Sequence, residues 1–207
     1  MHISEGVLSA PVLVSGAALA AAGTAVGLKK LDYDKIANAG MLSAAFFVAA
    51  LIHVPIGPTS VHLIFNGIVG ILLGWAAFPA ILVALTLQAV LFQFGGITTL
   101  GANTVIMALP AVICYSLFGR FVSGKPSNTM IAGFACGFLS VFLSALLLAA
   151  TLIFTGESFT AIAKLVVMAN FPVMVIEGII TAFCIGFLKK VRPEILPSGK
   201  AADIHTG

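Results

Sequence analysis

The chain has 207 residues, 60% of them hydrophobic and only 8% charged, with a formal net charge of +3 and a mean hydropathy of +1.18. Soluble domains carry roughly 25% charged residues, so this composition excludes an ordinary soluble protein, and no nucleic-acid partner is expected. The length gives room for one domain, read here as a single all-α, polytopic membrane domain over residues 1–207 with lipid as its surroundings.

The chain opens with "MHISEG", residues 1 to 6, and its first basic residue is Lys29. A signal peptide needs a basic region ahead of its apolar core, so the start is expected to be kept. Residue 2 is histidine rather than a small residue, and Met1 is therefore expected to remain, with a free amine.

About 20 helical residues cross a hydrocarbon core about 30 Å thick. Seven apolar runs approach that length, at 9–28, 36–54, 60–77, 79–94, 104–119, 127–155 and 159–188. The fourth and fifth are short, while the last two are long enough to tilt, bend or project. Small residues dominate 15–27 and recur at 37–45, a pattern that lets membrane helices approach closely, either within the chain or against a partner. In "HVPIGPTSVH", 53 to 62, Pro58 limits helix and Thr59 or Ser60 is suited to cap the third run. This predicts His62 one turn inside a helix and His53 near the end of the second run. Cys114, Cys136 and Cys184 stand singly in apolar runs and read as small hydrophobes. Glu177, a carboxylate within a span, is expensive there and is expected to hydrogen-bond a helix end or to contact a partner.

Lysine and arginine mark cytoplasmic loops. Lys29, Lys30 and Lys35 follow the first run, Arg120 and Lys125 the fifth, and Lys189, Lys190 and Arg192 the seventh. Every cluster follows an odd-numbered run, which predicts an external N-terminus and a cytoplasmic tail at 193–207. Residues 1–6, 53–62, 94–104 and 155–159 then share the outer face, and three of the four histidines lie there; the fourth, His205, is in the tail.

A free amine, the next peptide nitrogen and a histidine Nδ1 close a five-membered and then a six-membered chelate ring around one metal. Ni(II) and Cu(II) favour such planar nitrogen sites, with Co(II) a further candidate, whereas Zn(II) prefers a tetrahedron. Residues 1–8 thus suit a metal-binding segment in which Met1 and His2 supply three nitrogens and a second imidazole fills the fourth corner. His62 is the favoured donor of that imidazole, with His53 as an alternative ligand or a supporting group.

In this order, "MHISEG", "HVPIGPTSVHL" and "FGGITTLGANT" resemble the CbiM/NikM family, the substrate-capturing membrane components of energy-coupling-factor transporters for cobalt and nickel. The similarity runs through "IEGIITAFCIGFLKKVRPE" at 176 to 194. The resemblance implies a bundle of about seven transmembrane helices whose N-terminus inserts from outside. It also implies a square-planar site built from the Met1 amine, the His2 amide and ring, and His62. The loop containing Asn103 and Thr104 would cover that site and tie down the N-terminal segment, and Glu5 would brace it. Many relatives have "VPIPGGTS" where this chain has "VPIGPTS".

The expected function is therefore capture of Ni(II) or Co(II) as transported substrate, at a bacterial or archaeal cytoplasmic (inner) membrane, with no organic cofactor and no enzymatic activity. The 207 residues hold no GxxxxGK[ST] phosphate loop, the motif that cradles ATP. By the resemblance, the energy comes from CbiO-type ATPases working through a CbiQ-type transmembrane coupling protein, with a CbiN- or NikN-like small membrane subunit. Urease, hydrogenase or cobalamin synthesis would consume the metal. Two other classes compete. A membrane zinc hydrolase would want a general base and an HExxH-like motif, and the sequence has no HExxH or paired carboxylates. An autonomous ion carrier would want ionisable groups along a path, and only Glu177 and Lys164 are available.

Overall fold

Helices satisfy every backbone polar group within their own segment, as a chain this apolar requires in lipid. The structure, a computed structural model, describes residues 2–51, 53–56, 59–122, 124 and 126–197, with the backbone alone at 53–56, 59–61, 126, 127 and 157. Residues 198–207 of the expected tail, His205 among them, lie outside the described residues.

The α-helices are α1 (Ala10–Lys29), α2 (Ile36–Ala49), α3 (Asn66–Leu73), α4 (Ala77–Phe92), α5 (Leu100–Val122), α6 (Pro126–Thr155), α7 (Thr160–Ala169) and α8 (Phe171–Val191). Between α2 and α3 lies a small antiparallel hairpin, β1 (His53–Ile56) and β2 (Thr59–His62), in which His53 pairs with His62. Among the described residues, five helical stretches are long and apolar enough to cross a membrane: 10–29, 66–92, 100–122, 128–155 and 160–191. The two stretches that join α3 to α4 and α7 to α8 each count once. With its 14 residues, α2 is about 21 Å long, short of a full hydrocarbon core.

The expected third run, 60–77, is corrected. It begins as strand β2, and its helix starts only at Asn66, so His62 is not one turn inside a helix. His53 likewise stands on β1 rather than at a helix end. Val54, Ile56 and Val61 are β-branched, and Pro55 pushes Val54 toward extended backbone. An average of hydropathy registers none of this. Run seven is also divided: α7 ends at Ala169 and α8 starts at Phe171, with Pro172 in its first turn.

Helix α5 is the hub. It contacts α1, α3, α4 and α6, and α6 in turn packs along α8. Close approach explains the small residues of α1. Gly16, Ala20, Gly23 and Gly27 are buried within the chain, and an added Cβ at Gly16 would lie 2.8 Å from the Ala102 backbone on α5. Much of the rest of α1, including Val14 and Leu19, is exposed, as a lipid-facing surface would be.

The bundle has two chemically different ends. Lys30 lies 5.4 Å from the centre of the Trp75 ring. Lys189 donates to the carbonyls of Val122 and Gly124 and, at 2.5 Å, to Thr129 Oγ1. A cavity of about 800 Å³ opens among Lys35, Leu72, Tyr115, Lys189 and Arg192. The basic residues after runs one and seven therefore gather at the end where α5 finishes. The N-terminal segment lies at the other end, about 34 Å away along the 23 residues of α5.

Candidate metal centre

Residues 2–5 enter the bundle beside the start of α5, and their backbone is held at Ile3 and Glu5. The Ile3 N–H donates to Asn103 Oδ1 at 2.9 Å. The Ile3 carbonyl accepts from Asn103 Nδ2 at 3.1 Å and from Thr99 Oγ1 at 3.0 Å. One side-chain amide thus grips both faces of a single residue, as a neighbouring β-strand would. Glu5 adds two bonds: its N–H donates to the Gly95 carbonyl, and its Oε1 accepts the Thr98 N–H, each at 3.0 Å.

The loop after α4 is shaped to permit this. Gln93, Gly95 and Gly96 have positive φ values of 57°, 77° and 139°. A side chain on Gly96 would occupy the space taken by the Glu5 side chain. Glycine is needed there both for backbone conformation and for room.

His2 and His62 meet at the centre of this end, 5% and 3% exposed. Their rings stack with centroids 4.7 Å apart and planes 29° apart, and His2 Nδ1 faces His62 Nε2 at 3.1 Å. What fixes the two rings is on their far sides. His62 Nδ1 lies 2.7 Å from the Leu63 carbonyl, an acceptor only, so Nδ1 carries the proton and Nε2 presents its lone pair. His2 Nε2 lies 2.7 Å from Gln88 Oε1. Gln88 Nε2 donates to the Phe47 carbonyl at 3.2 Å, which turns Oε1 toward His2 and leaves Nδ1 with its lone pair. Both tautomers follow from acceptors on the protein, and two lone pairs converge. Such a pair suits a cation between them.

The expected site residues fall out as follows. Met1 lies outside the described residues. His2 and His62 come together. Asn103 and Glu5 hold the N-terminal segment as described. Thr104 is buried but donates to Leu100 within its own helix at 2.8 Å; Thr99, one turn earlier, supplies the hydroxyl to Ile3 instead. His53 is the backbone partner of His62 across the hairpin, and Ser60 pairs with Pro55; the side chains of both lie outside the described residues. Among the described residues, no three His, Cys, Asp or Glu side chains converge in a metal-holding group.

Sequence reasoning passed over Gln88 and Thr99. Gln88 carried a signal, since an amide inside the apolar run "AILVALTLQAVLF" needs a partner in lipid. Asn66 shows the same rule deeper in the bundle, where Ser140 Oγ donates to its Oδ1 and its Nδ2 donates to Ser144 Oγ, each at 2.9 Å. Glu177, on α8, accepts the N–H groups of Ile64 and Phe65 just before α3, which is the expected bonding to a helix end.

Comparison with known proteins places the chain in a family. A family model described as the cobalt uptake substrate-specific transmembrane region, CbiM, matches residues 2–195. A chain of Haemophilus influenzae named for metal transport is 42% identical over 199 residues, covering 95% of this chain and 97% of that one. The fused nickel transport protein NikMN of Rhodobacter capsulatus is 32% identical, over 97% of this chain and 65% of its own length. A crystal structure described as a transition metal transporter superposes with a TM-score of 0.80 at 26% identity, over 92% of this chain and 93% of that one. The chain belongs to the CbiM family of cobalt and nickel transport components and is a multi-pass membrane protein.

Proposed function

We propose that this chain is the substrate-capturing component of an ATP-driven energy-coupling-factor uptake transporter. It binds Ni(II) or Co(II) at the external face through the Met1 amine, the His2 amide and ring, and the His62 ring. The observation that carries the reading is the 3.1 Å approach of His2 Nδ1 to His62 Nε2, with the opposite nitrogen of each ring committed to a protein oxygen. Two nitrogens each about 2.0–2.1 Å from one metal and at a right angle lie about 2.9 Å apart. The absence of a third metal-binding side chain among the described residues fits a site completed by backbone nitrogens.

The orientation follows from charge: Lys30, Lys35 and Lys189 gather at one end of the bundle, opposite the histidines, and basic ends face the cytoplasm. A CbiN- or NikN-like subunit is supported by the fused NikMN relative, which this chain covers for 65% of its length. CbiQ-type coupling and CbiO-type ATPase partners follow from the family resemblance, and the cytoplasmic (inner) membrane is the compartment in which such partners meet ATP.

The test is metal stoichiometry and the absorption spectrum of the purified chain with Ni(II) and Co(II), beside His2→Ala, His62→Ala and a form extended by one N-terminal residue. One tightly bound ion with a planar Ni(II) band, lost in all three variants, is expected. Equal binding by the extended form would remove the Met1 amine from the site.

A further inference from the structure

One peptide group joins the candidate ligand to a buried carboxylate. The carbonyl of Leu63 accepts from His62 Nδ1 at 2.7 Å, and the N–H of Ile64, on the other side of the same peptide, donates to Glu177 Oε1 at 2.5 Å. Phe65, held at a left-handed φ of 55°, donates its N–H to the same oxygen at 2.9 Å. Glu177 is fully buried, and its Oε2 has no hydrogen-bond partner among the described residues.

Capping the start of α3 does not require this charge, because a neutral serine or asparagine caps a helix as well as an aspartate. An ionisable group kept at membrane depth calls for a further role. Hydrogen bonds in series polarise one another in low-dielectric surroundings. A carboxylate at one end of the chain draws the Ile64 proton and enriches the Leu63 carbonyl. The carbonyl in turn draws the Nδ1 proton of His62 and enriches Nε2.

We propose that Glu177 is a positioning residue for metal capture, acting through the Leu63–Ile64 peptide to orient His62 and strengthen its Nε2 as a ligand. This is a carboxylate–histidine pair with a peptide inserted between its members, and it rests on the assignment of His2 and His62 as metal ligands. Carboxylates that bond a metal-binding histidine directly change affinity by about 10–100-fold.

The experiment titrates Ni(II) into the purified full chain and into Glu177→Gln and His62→Ala, recording affinity and the visible Ni(II) band, with thermal unfolding of each metal-free protein alongside. Glutamine keeps an acceptor oxygen for the two N–H groups but removes the charge. The expected result is a metal-free unfolding midpoint close to that of the parent, an affinity lower by about tenfold, and a band moved to longer wavelength by the weaker ligand. An unchanged affinity and band in Glu177→Gln, with binding lost in His62→Ala, would overturn the inference alone. A parent chain that binds no Ni(II), or a His62→Ala chain that binds like the parent, would overturn the ligand assignment and this inference with it.

A second measurement reads Glu177 directly. Infrared difference spectra of the ¹³C-glutamate-labelled chain, recorded at saturating Ni(II), should show a carboxylate stretch that shifts on loading, and that shift should be missing from Glu177→Gln. A stretch that stays in place, or a difference spectrum unchanged in Glu177→Gln, would sink the proposal.

Discussion

The rings of His2 and His62 are aimed by neutral oxygens, one from a side chain and one from the backbone. Gln88 is the more exposed to test, since a side chain can be replaced and a carbonyl cannot. Gln88→Leu keeps the volume roughly but removes the acceptor that holds the His2 proton on Nε2. Calorimetric titration should show Ni(II) affinity lower by about 10- to 100-fold, the range for groups that orient a metal-binding histidine. Unaltered affinity would mean that the Met1–His2 chelate orients its own ring. At Asn103, alanine would leave the buried Ile3 N–H without its acceptor, a loss of about 1–3 kcal/mol. The N-terminal segment should then exchange its amide protons faster than the rest of the bundle, as hydrogen-exchange mass spectrometry would register.

Among the elements, the crossing of α1 and α5 depends on the smallest residues. The Cβ that valine would bring to Gly16 lies 2.8 Å from backbone, not from a movable side chain, so the helices must separate. Gly16→Val should cost about 1–3 kcal/mol through overpacking and lower the unfolding midpoint in detergent. Gly40→Ala is the control, because nothing lies within 4 Å of its added Cβ, and helix propensity alone favours alanine. Equal midpoints for the two variants would show that this crossing yields easily. The β1–β2 hairpin is the element that brings His62 to His2, and its placement ahead of α3 leaves residues 63–65 as the short link that Glu177 secures.

For the molecule as a whole, the gathering of His2 and His62 at one end and of Lys30, Lys35 and Lys189 at the other makes orientation testable in cells. With Cys114, Cys136 and Cys184 replaced by alanine, Thr98→Cys should react with a membrane-impermeant maleimide on intact cells. Glu194→Cys should react only after permeabilisation. Both positions are exposed, so access to the reagent decides the outcome. The reverse pattern would invert the molecule and with it the direction of capture.

Much of the bundle was legible because lipid imposes a length and a composition on every crossing helix; α1, α5 and α6 lie within a few residues of the expected runs. The polar start, the "PTSVH" segment and the loop before Asn103 were legible as one face because lysine and arginine are absent from all three. The hairpin at 53–62 was not, since hydropathy carries no information on whether an apolar stretch is extended or helical. The meeting of His2 with His62, separated by 60 residues, and the bonding of Glu177 to a helix end were anticipated, but the tautomer-fixing and backbone-holding bonds from Gln88 and Thr99 were decided by tertiary structure alone. Composition determined that the chain lives in a membrane and that its few polar groups must find partners there. Only the packing of helices, a matter of which small residues let which backbones approach, decided which partners those are.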